Sequence, residues 1–259
     1  MRRMARRIAP DVAIRCVDLS IARQSAHRRV VDGASFELPH GRALAVMGAT
    51  GSGKSSLVAV LAGADEPSLA VVGGSAFVEG LPVRRPGRAH RELTYVTGYV
   101  PQGAGALLAP RLTVSETITA PVTSRDRRMG QRALALRVAS LLDELQLPLG
   151  AAAKYPYELS AGMRQRVALA RALVLEPRVF IGDEPYANLD IEVRHAARDA
   201  LLRRRDEGGM SILVVTNDAE TVAELDADVL VLNAGFTVAA GHGTSGLLWT
   251  PGESARAVS

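Results

Sequence analysis

A glycine-rich segment that ends in lysine and serine, VMGATGSGKSS at residues 46–56, has the composition of a phosphate-binding loop. Its spacing fits G-x-x-x-x-G-K-[ST]. In such a loop the backbone N–H groups surround a phosphate, the lysine reaches the β- and γ-phosphates, and the serine hydroxyl binds Mg²⁺. The predicted phosphate-binding residues are Gly48, Ala49, Thr50, Gly51, Ser52, Gly53, Lys54, Ser55 and Ser56. The loop alone is equally compatible with kinases, GTPases, helicases and transport ATPases.

Two adjacent carboxylates follow the apolar run VFIG at residues 179–182. A buried strand that ends at Asp183 would bring this carboxylate beside the phosphate-binding loop, where it can hold Mg²⁺. Glu184, the next residue, can orient and polarise an attacking water. An ordinary acidic strand end would explain the pair equally well if the loop were absent. With the loop upstream, the pair indicates a second phosphate-linked site.

The segment LSAGMRQRVALARAL, residues 159–173, has the pattern of an amphipathic helix with a serine N-cap. Ser160, Ala161 and Gly162 would leave free N–H groups at the start of this helix, which makes a second anion-binding position. One chain with one nucleotide does not need two such positions. Two chains arranged head to tail do need them, because each loop would then face the other chain's helix start.

The elements around these residues predict an α/β fold with a parallel sheet, a β-rich flank and a helical insert. Alternating or apolar runs indicate strands, and helical spacing indicates the helices between and after them. The predicted strands are residues 12–19, 34–38, 42–47, 75–79, 94–100, 179–182, 211–215, 229–233 and 236–240. The predicted helices are residues 56–62, 132–147, 160–175 and 192–206, and residues 80–92 are predicted as a surface connection.

The composition narrows the classes of protein to which this chain can belong. The chain has 259 residues, of which 47% are hydrophobic, with a net charge of +4 and one cysteine, Cys16. One cysteine excludes an internal disulfide, and no apolar run reaches the roughly 20 residues that a membrane helix needs. The basic runs at residues 1–7 and 203–205 are better explained as solvated segments than as a nucleic-acid contact, so no nucleic-acid partner is expected.

Taken together, the motifs resemble those of the ATP-binding subunits of ABC transporters. GATGSGKS looks like Walker A, YVPQ like the Q-loop, LSAGMRQR like the signature, VFIGDEP like Walker B with its glutamate, and ANLD like the D-loop. The resemblance runs in the right order from about residue 12 to residue 240. It implies a P-loop NTPase core with a parallel sheet, an antiparallel β flank and a helical subdomain at about residues 103–165. The expected organisation is a basic tail at 1–11, an ATPase domain at 12–241 and a flexible tail at 242–259.

The resemblance also assigns roles to single residues. It implies ATP and Mg²⁺ as cofactors and an ATP-dependent dimer with two nucleotides between the chains. Gln102 would sense Mg²⁺ and the membrane partner, and Glu184 would be the catalytic carboxylate. The expected metal ligands are Ser55, Gln102 and Asp183. The residues expected to contact nucleotide between the two chains are Ser160 and Gly162 of the signature and Asp190 of the D-loop.

Two departures from the family pattern stand out. Asn217 occupies the position of the switch histidine, and asparagine can donate a hydrogen bond to phosphate but cannot become a cation. Residues 19–29 contain no aromatic residue to stack on adenine, which leaves Arg23 or His27 for that contact. The first departure keeps open a catalytically weak or regulatory ATP-binding module. A non-transport ABC ATPase of DNA repair or translation is disfavoured by the single loop and the chain length.

The implied partners are transmembrane permease subunits, a second ATP-binding cassette and, through the permease, a solute-binding protein. The implied location is the cytoplasmic face of the cell membrane, as a peripheral subunit. Met163 and the segment 101–114 resemble the peptide and nickel importers, whereas the NLD at residues 188–190 resembles lipoprotein-extraction and macrolide-export types. The expected activity is import of peptide, nickel or another small solute. Cargo, direction and the identity of the second cassette remain open at the level of sequence.

Overall fold

The computed structural model of the protein describes residues 12–24, 28–83, 87–126 and 129–249. The basic tail expected at residues 1–11 and the candidate adenine contact His27 lie outside this part of the chain. Its strands are β1 (Val12–Arg23), β2 (Arg28–Pro39), β3 (Ala43–Met47), β4 (Leu69–Val78), β5 (Leu81–Pro82), β6 (Thr97–Val100), β7 (Val179–Asp183), β8 (Ser211–Val215), β9 (Asp228–Asn233), β10 (Phe236–His242) and β11 (Gly246–Trp249).

Helices separate most of the strands in the second half of the chain. The α-helices are α1 (Lys54–Leu61), α2 (Arg88–Val96), α3 (Val114–Thr123), α4 (Gln131–Glu144), α5 (Ala161–Leu173), α6 (Ile191–Gly208) and α7 (Ala219–Glu224). Short 3-10 turns are formed by Ala104–Ala106, Leu149–Ala153 and Pro156–Glu158. None of the described helices combines the length and the apolar composition that a bilayer crossing requires.

The strands form two sheets of different character. The first is antiparallel, with the order β2-β1-β4-β5. The second has seven strands in the order β11-β10-β9-β3-β8-β7-β6, in which β9, β3, β8, β7 and β6 run parallel. This is the α/β class predicted from the sequence, with a parallel core and an antiparallel flank. The carboxyl ends of β3, β6, β7 and β8 meet at one edge, which is where ligands bind in such sheets.

The parallel sheet separates two hydrophobic cores, and its central strands alternate between them. In β7, Val179 and Ile181 face a core shared with α1 and the antiparallel sheet, whereas Phe180 faces a core shared with α3 to α6. Strand β8 alternates in the same way. Because both faces are covered, these strands are apolar at nearly every position, and this explains their continuous hydrophobic sequence.

The helices between β6 and β7 pack on the second of these cores. Ile118 of α3 and Leu142 of α4 are fully buried and belong to the same cluster as Phe180 of the sheet. Helix α5 continues past residue 165 to Leu173, so that its first turns lie among the helices and its last turns lie against the sheet. The side chain of Thr113 accepts a hydrogen bond from the Glu116 N–H and closes the first turn of α3.

Two stretches differ from the sequence-based expectation. Residues 88–96 form α2, where a connection followed by a strand from residue 94 was expected. Leu93, fully buried, anchors this helix, and the Thr97 hydroxyl donates to the carbonyls of Leu93 (2.8 Å) and Ala62 (3.2 Å). The helix is therefore held by contacts with a distant segment, which local composition does not reveal.

The expectation of a flexible tail at residues 242–259 is wrong for the first part of that range. His242 ends β10, and Gly246–Trp249 forms β11, which pairs with β10 in antiparallel register. The glycine and serine content that indicated mobility supplies the turn of a hairpin instead, with Gly243 at φ +60°. Residues 250–259 lie outside the described part of the chain.

Candidate active site

The loop between β3 and α1 has a backbone that only glycine can follow at two positions. Gly48 has φ +139° and Gly53 has φ +102°. A Cβ at Gly48 would lie 2.0 Å from the carbonyl oxygen of Leu232, and one at Gly53 would lie 2.1 Å from that of Val30. The loop is thus pressed between β9 and β2, and the sheets set its shape together with its own sequence.

Lys54 begins α1 and is buried within this loop. Its Nζ atom donates hydrogen bonds to the carbonyl oxygens of Gly48 (2.6 Å) and Ala49 (2.8 Å). The ammonium group is therefore fixed inside the curve of the loop, close to the N-terminal end of α1. A cation and a helix N-terminus at one point attract an anion.

Asp183 ends β7 at the same sheet edge and is buried. Burial raises the pKa of its carboxyl group, whereas a hydrogen bond with the Ser55 side chain and the nearby Lys54 ammonium act in the opposite direction. Ser55 and Asp183 thus bring a hydroxyl and a carboxylate oxygen together beside the loop. Oxygen donors of this kind fit Mg²⁺, which is held in nucleotide sites by one or two protein ligands plus phosphates.

Glu184 follows directly, with an exposed side chain and a backbone in the left-handed region at φ +51°. This conformation is uncommon for a residue with a side chain. The Glu184 N–H donates to the Val215 carbonyl at 3.0 Å, which extends the β7–β8 pairing by one residue. The chain then turns, so that Glu184 leaves the sheet while Asp183 remains buried, and the two adjacent carboxylates occupy different environments.

Gln102 and Asn217 approach the loop from two other strand ends. Gln102 comes two residues after β6, and Asn217 comes two residues after β8; both side chains are exposed. The Oδ1 atom of Asn217 accepts a hydrogen bond from the backbone N–H of Gly48 at 3.0 Å. Because the oxygen must face this donor, the amide NH₂ of Asn217 remains available as a donor.

These residues line one cleft of about 420 Å³. The residues predicted from the sequence that line it are Thr50, Gly51, Gly53, Lys54, Ser55, Ser56, Gln102, Asp183, Glu184 and Asn217. Arg23 and Val30 line the same cleft from β1 and β2. Gly48, Ala49 and Ser52 belong to the same loop but are not among the residues that line the cleft. The cleft therefore combines a cation, backbone donors, a pair of oxygen ligands and an exposed carboxylate.

Three of the predicted nucleotide-contact residues lie outside this cleft. Ser160 is the N-cap of α5, and its hydroxyl accepts from the Met163 N–H at 3.2 Å. Asp190 is the N-cap of α6 and accepts from the Val193 N–H at 3.0 Å. Gly162 is so close to the carbonyl oxygen of Asn188 that a Cβ would lie 3.0 Å from it. Within one chain these residues shape helix ends and do not contact the loop.

Residues 31–187, more than half of the chain, match the family described as ABC transporter. The chain belongs to the ABC transporter family. It is 36% identical over 216 residues to the oligopeptide transport ATP-binding protein OppD of Mycobacterium tuberculosis, an alignment that covers 82% of this chain and 34% of OppD. It is 34% identical over 224 residues to the sulfate/thiosulfate import ATP-binding protein CysA of Burkholderia pseudomallei, covering 84% of this chain and 61% of CysA. The chain thus spans less than two thirds of either relative.

Solved structures of the ABC transporter family have the same fold. A dimeric ATP-binding cassette, solved in a post-hydrolysis state with ADP and Pi, superposes with a TM-score of 0.79 at 23% identity, covering 88% of this chain and 98% of that one. The cbiO1 protein of Clostridium perfringens, part of an ABC transporter complex, gives 0.74 at 24% identity, with 90% and 89% covered. At these identities the likeness establishes the fold.

Val30 is the cleft residue that the sequence analysis missed. It lies in β2, outside every motif, and reaches the cleft because β2 packs against the loop at Gly53. The sequence indicates this contact only indirectly. The glycine at position 53 is consistent with a close backbone neighbour, but it does not show that the neighbour is Val30. Arg23, which the sequence analysis proposed for the adenine contact, lies beside Val30 in the cleft lining.

Proposed function

We propose that this chain binds Mg-ATP in the cleft and hydrolyses it, as the ATP-binding subunit of a transporter. The observation that carries this proposal is the convergence of Lys54, the Ser55–Asp183 oxygen pair and the exposed Glu184 carboxylate on one cleft. These groups come from two segments that are distant in sequence, the start of α1 and the end of β7. Their meeting at the edge of a parallel sheet is the arrangement that phosphoryl transfer requires.

The loop and Lys54 bind the phosphates. Lys54 exchanges its contacts with the Gly48 and Ala49 carbonyls for phosphate oxygens, and the loop N–H groups add neutral donors. Ser55, Asp183 and Gln102 are the residues that would hold Mg²⁺. When bound, the ion would supply positive charge that offsets the negative charge developing on the phosphate. The NH₂ group of Asn217 supplies a further donor beside Gly48.

Glu184 orients the attacking water and accepts its proton. Its side chain is exposed at the cleft, in contrast to the buried Asp183, so it is free to contact a water molecule there. Arg23 and Val30 form the wall on the β1–β2 side, where a base can lie against an aliphatic side chain and a guanidinium group. Cation–π stacking by Arg23 replaces the aromatic contact that residues 19–29 lack.

The active form is a head-to-tail pair with a second cassette, either another copy of this chain or a relative. Ser160 and Gly162 lie at the exposed start of α5, away from their own chain's cleft, with N–H groups that can bind a phosphate of the opposite chain. Asp190 caps α6 beside the same surface and takes part in the contact between chains. The dimeric cassette among the structural neighbours supports this arrangement.

Hydrolysis drives solute movement through separate permease subunits, which places the chain at the cytoplasmic face of the membrane as a peripheral subunit. The names of OppD and CysA, and that of the Fe(3+) ions import ATP-binding protein FbpC of Pseudomonas fluorescens (36% identical over 211 residues), support import. The proposed cargo is peptide, nickel or another small solute, delivered through a solute-binding protein.

The test is phosphate release by the purified chain with Mg-ATP, beside the Glu184→Gln variant as the blank. The exposed position of Glu184 means that this exchange leaves the fold intact. Turnover well above the blank supports the proposal. Turnover equal to the blank, with ATP still bound, favours the alternative of a regulatory ATP-binding module, for which the replacement of a titratable histidine by Asn217 is the supporting observation.

A further inference from the structure

One polar side chain in the middle of α5 joins two segments that carry cleft residues. Gln165 is only 2% exposed. Its Oε1 atom accepts a hydrogen bond from the Gly105 N–H at 3.2 Å, and its Nε2 atom donates to the Pro185 carbonyl at 2.9 Å. A backbone N–H can only donate and a carbonyl can only accept, so these two partners determine the orientation of the amide.

Both partners lie next to residues of the candidate active site. Pro185 directly follows Glu184, and Gly105 comes three residues after Gln102. Gly105 approaches α5 so closely that a Cβ there would lie 2.8 Å from the Gln165 backbone nitrogen. The turn at residues 104–106, helix α5 and the segment after β7 therefore meet at one buried amide.

The backbone on each side of Glu184 has one hydrogen bond to a neighbouring element. On the sheet side, the Glu184 N–H donates to the Val215 carbonyl at 3.0 Å. On the other side, the Pro185 carbonyl accepts from Gln165. Glu184 itself has a left-handed backbone and an exposed side chain, so its direction depends on these two flanking bonds and on the turn that the Ala187 N–H closes on the Glu184 carbonyl at 3.1 Å. The Gln165 bond is the one that comes from α5.

We propose that Gln165 is a positioning residue, which holds the Glu184 carboxylate in the cleft through Pro185 and links its position to the segment of Gln102. This inference rests on the proposed ATP hydrolysis. A shift of α5 relative to the sheet moves the amide, and with it the backbone that carries Glu184. Since neither of its two hydrogen-bond partners, Gly105 and Pro185, belongs to the loop at residues 48–56, we expect its effect to fall on the chemical step and not on nucleotide binding.

The test compares two variants. Gln165→Met keeps the side-chain length and removes both hydrogen bonds. Gln165→Glu keeps an acceptor for the Gly105 N–H but places a second oxygen against the Pro185 carbonyl oxygen, which repels it. The matched control is Thr117→Val in α3. Thr117 is also buried, and its hydroxyl has no hydrogen-bond partner among the described residues. Thermal unfolding of all variants establishes the temperature at which each is folded.

In Gln165→Met we expect kcat to fall by about tenfold to a hundredfold, the range seen when a reacting group is misplaced by about 1 Å. The KM for ATP should stay within about twofold of the wild type, as should both constants in the Thr117→Val control. Gln165→Glu should be at least as slow. An unchanged kcat in Gln165→Met, or equal losses in Gln165→Met and the control, would overturn the inference.

Amide hydrogen exchange of the nucleotide-free chain separates this inference from the proposed function. Exchange should become faster in Gln165→Met at residues 103–107 and 186–190, and stay unchanged in the Thr117→Val control. If the wild type has no turnover, the proposed function fails, and the positioning role fails with it even if exchange responds. If the wild type hydrolyses ATP but exchange is unchanged at both segments, the inference alone fails.

Discussion

The Oδ1 atom of Asn217 accepts a hydrogen bond from the backbone N–H of Gly48 at 3.0 Å, and this bond joins the end of β8 to the first glycine of the proposed phosphate-binding loop. Asparagine offers one acceptor and one NH₂ group in fixed opposite directions. Its charge is also independent of pH. A histidine at this position would titrate near pH 6.5 and would supply a cation in its protonated form.

Asn217→His should therefore add a pH dependence that the wild type lacks at this position. We expect turnover of the variant to rise above that of the wild type as the pH falls through about 6.5, because the imidazolium stabilises charge on phosphate. Phosphate release between pH 5.5 and 8, at about one-unit intervals, measures this. Gln131→His, on the exposed start of α4, controls for an added histidine elsewhere. Superimposable profiles for Asn217→His and the wild type would contradict the prediction.

Lys54→Ala should abolish productive ATP binding. The change removes a charged donor from the centre of the loop, and hydrogen bonds to charged groups contribute about 1.5–3 kcal/mol each. We expect the Kd for Mg-ATP, measured by equilibrium binding, to rise by at least about tenfold per lost bond. Lys154→Ala is the control, since Lys154 is exposed and does not line the cleft. ATP turnover in Lys54→Ala equal to that of the wild type would refute the site assignment.

Gly53→Ala should destabilise the fold more than Gly51→Ala. Both glycines have positive φ, at +102° and +81°, which costs a residue with a Cβ about 1–3 kcal/mol. At Gly51 a Cβ meets open space, whereas at Gly53 it would lie 2.1 Å from the Val30 carbonyl oxygen. Denaturant unfolding in the absence of nucleotide should show the larger loss for Gly53→Ala. Equal losses would mean that the loop can move away from β2.

A head-to-tail pair predicts complementation between two inactive chains. Ser160→Asp keeps an N-cap acceptor for α5 but places a carboxylate where the opposite chain's phosphate would bind, so we expect it to be inactive. Mixed with Lys54→Ala, it should regain part of the wild-type phosphate release, because one of the two sites then has an intact loop and an intact helix start. Ser160→Asn keeps the cap without the charge and should remain active. No recovery in the mixture would argue against this arrangement.

The ion pair between Arg194 of α6 and Asp218 at the start of α7 should stabilise the fold in a pH-dependent way. Burial acts to raise the pKa of Asp218, but hydrogen bonds from Thr221 and from the Glu220 N–H, together with Arg194, outweigh it and lower the pKa. A lowered pKa stabilises the folded state above the unfolded value of about 3.9, and the stabilisation disappears as the pH falls through the folded pKa.

Asp218→Asn keeps the helix cap and removes the charge. At pH 7 we expect it to lower the free energy of unfolding by about 0.5–1 kcal/mol, as for a partly exposed ion pair. The difference from the wild type, followed by urea unfolding, should shrink below about pH 4. The exposed Asp65→Asn variant should show no such trend. A difference that stays constant down to pH 3, or grows there, would rule out the ion pair as its source.

The central layer of the fold was predictable because its signals are local. The strand before Gly48, the apolar strand that ends at Asp183 and the capped helix after Ser160 each carry their pattern within a few residues. Parallel strands that are buried on both faces are also recognisable, since nearly every position is apolar. Their order along the sheet then brings Asp183 to the loop without further information.

The parts that were missed depend on distant partners. Helix α2 is anchored by Leu93 against the end of α1, and β11 exists because β10 offers an edge for pairing. Val30 joins the cleft only through the packing of β2 on Gly53. The two hydrogen bonds of Gln165 are of the same kind. A glutamine within a helical pattern does not indicate which backbone groups it will bind.

The alternation along β7 has a consequence for how this protein can change. Val179 and Ile181 point to one side of the sheet together with the Asp183 position, and Phe180 points to the other. The alternation of side chains along this strand therefore determines which core each apolar residue fills and on which side of the sheet Asp183, the proposed metal ligand, lies. Inserting or deleting a single residue in β7 would exchange the two packing layers and turn the carboxylate away from Ser55. Substitutions can adjust this strand gradually, but a change in its length by one residue would remove the fold and the chemistry in one step.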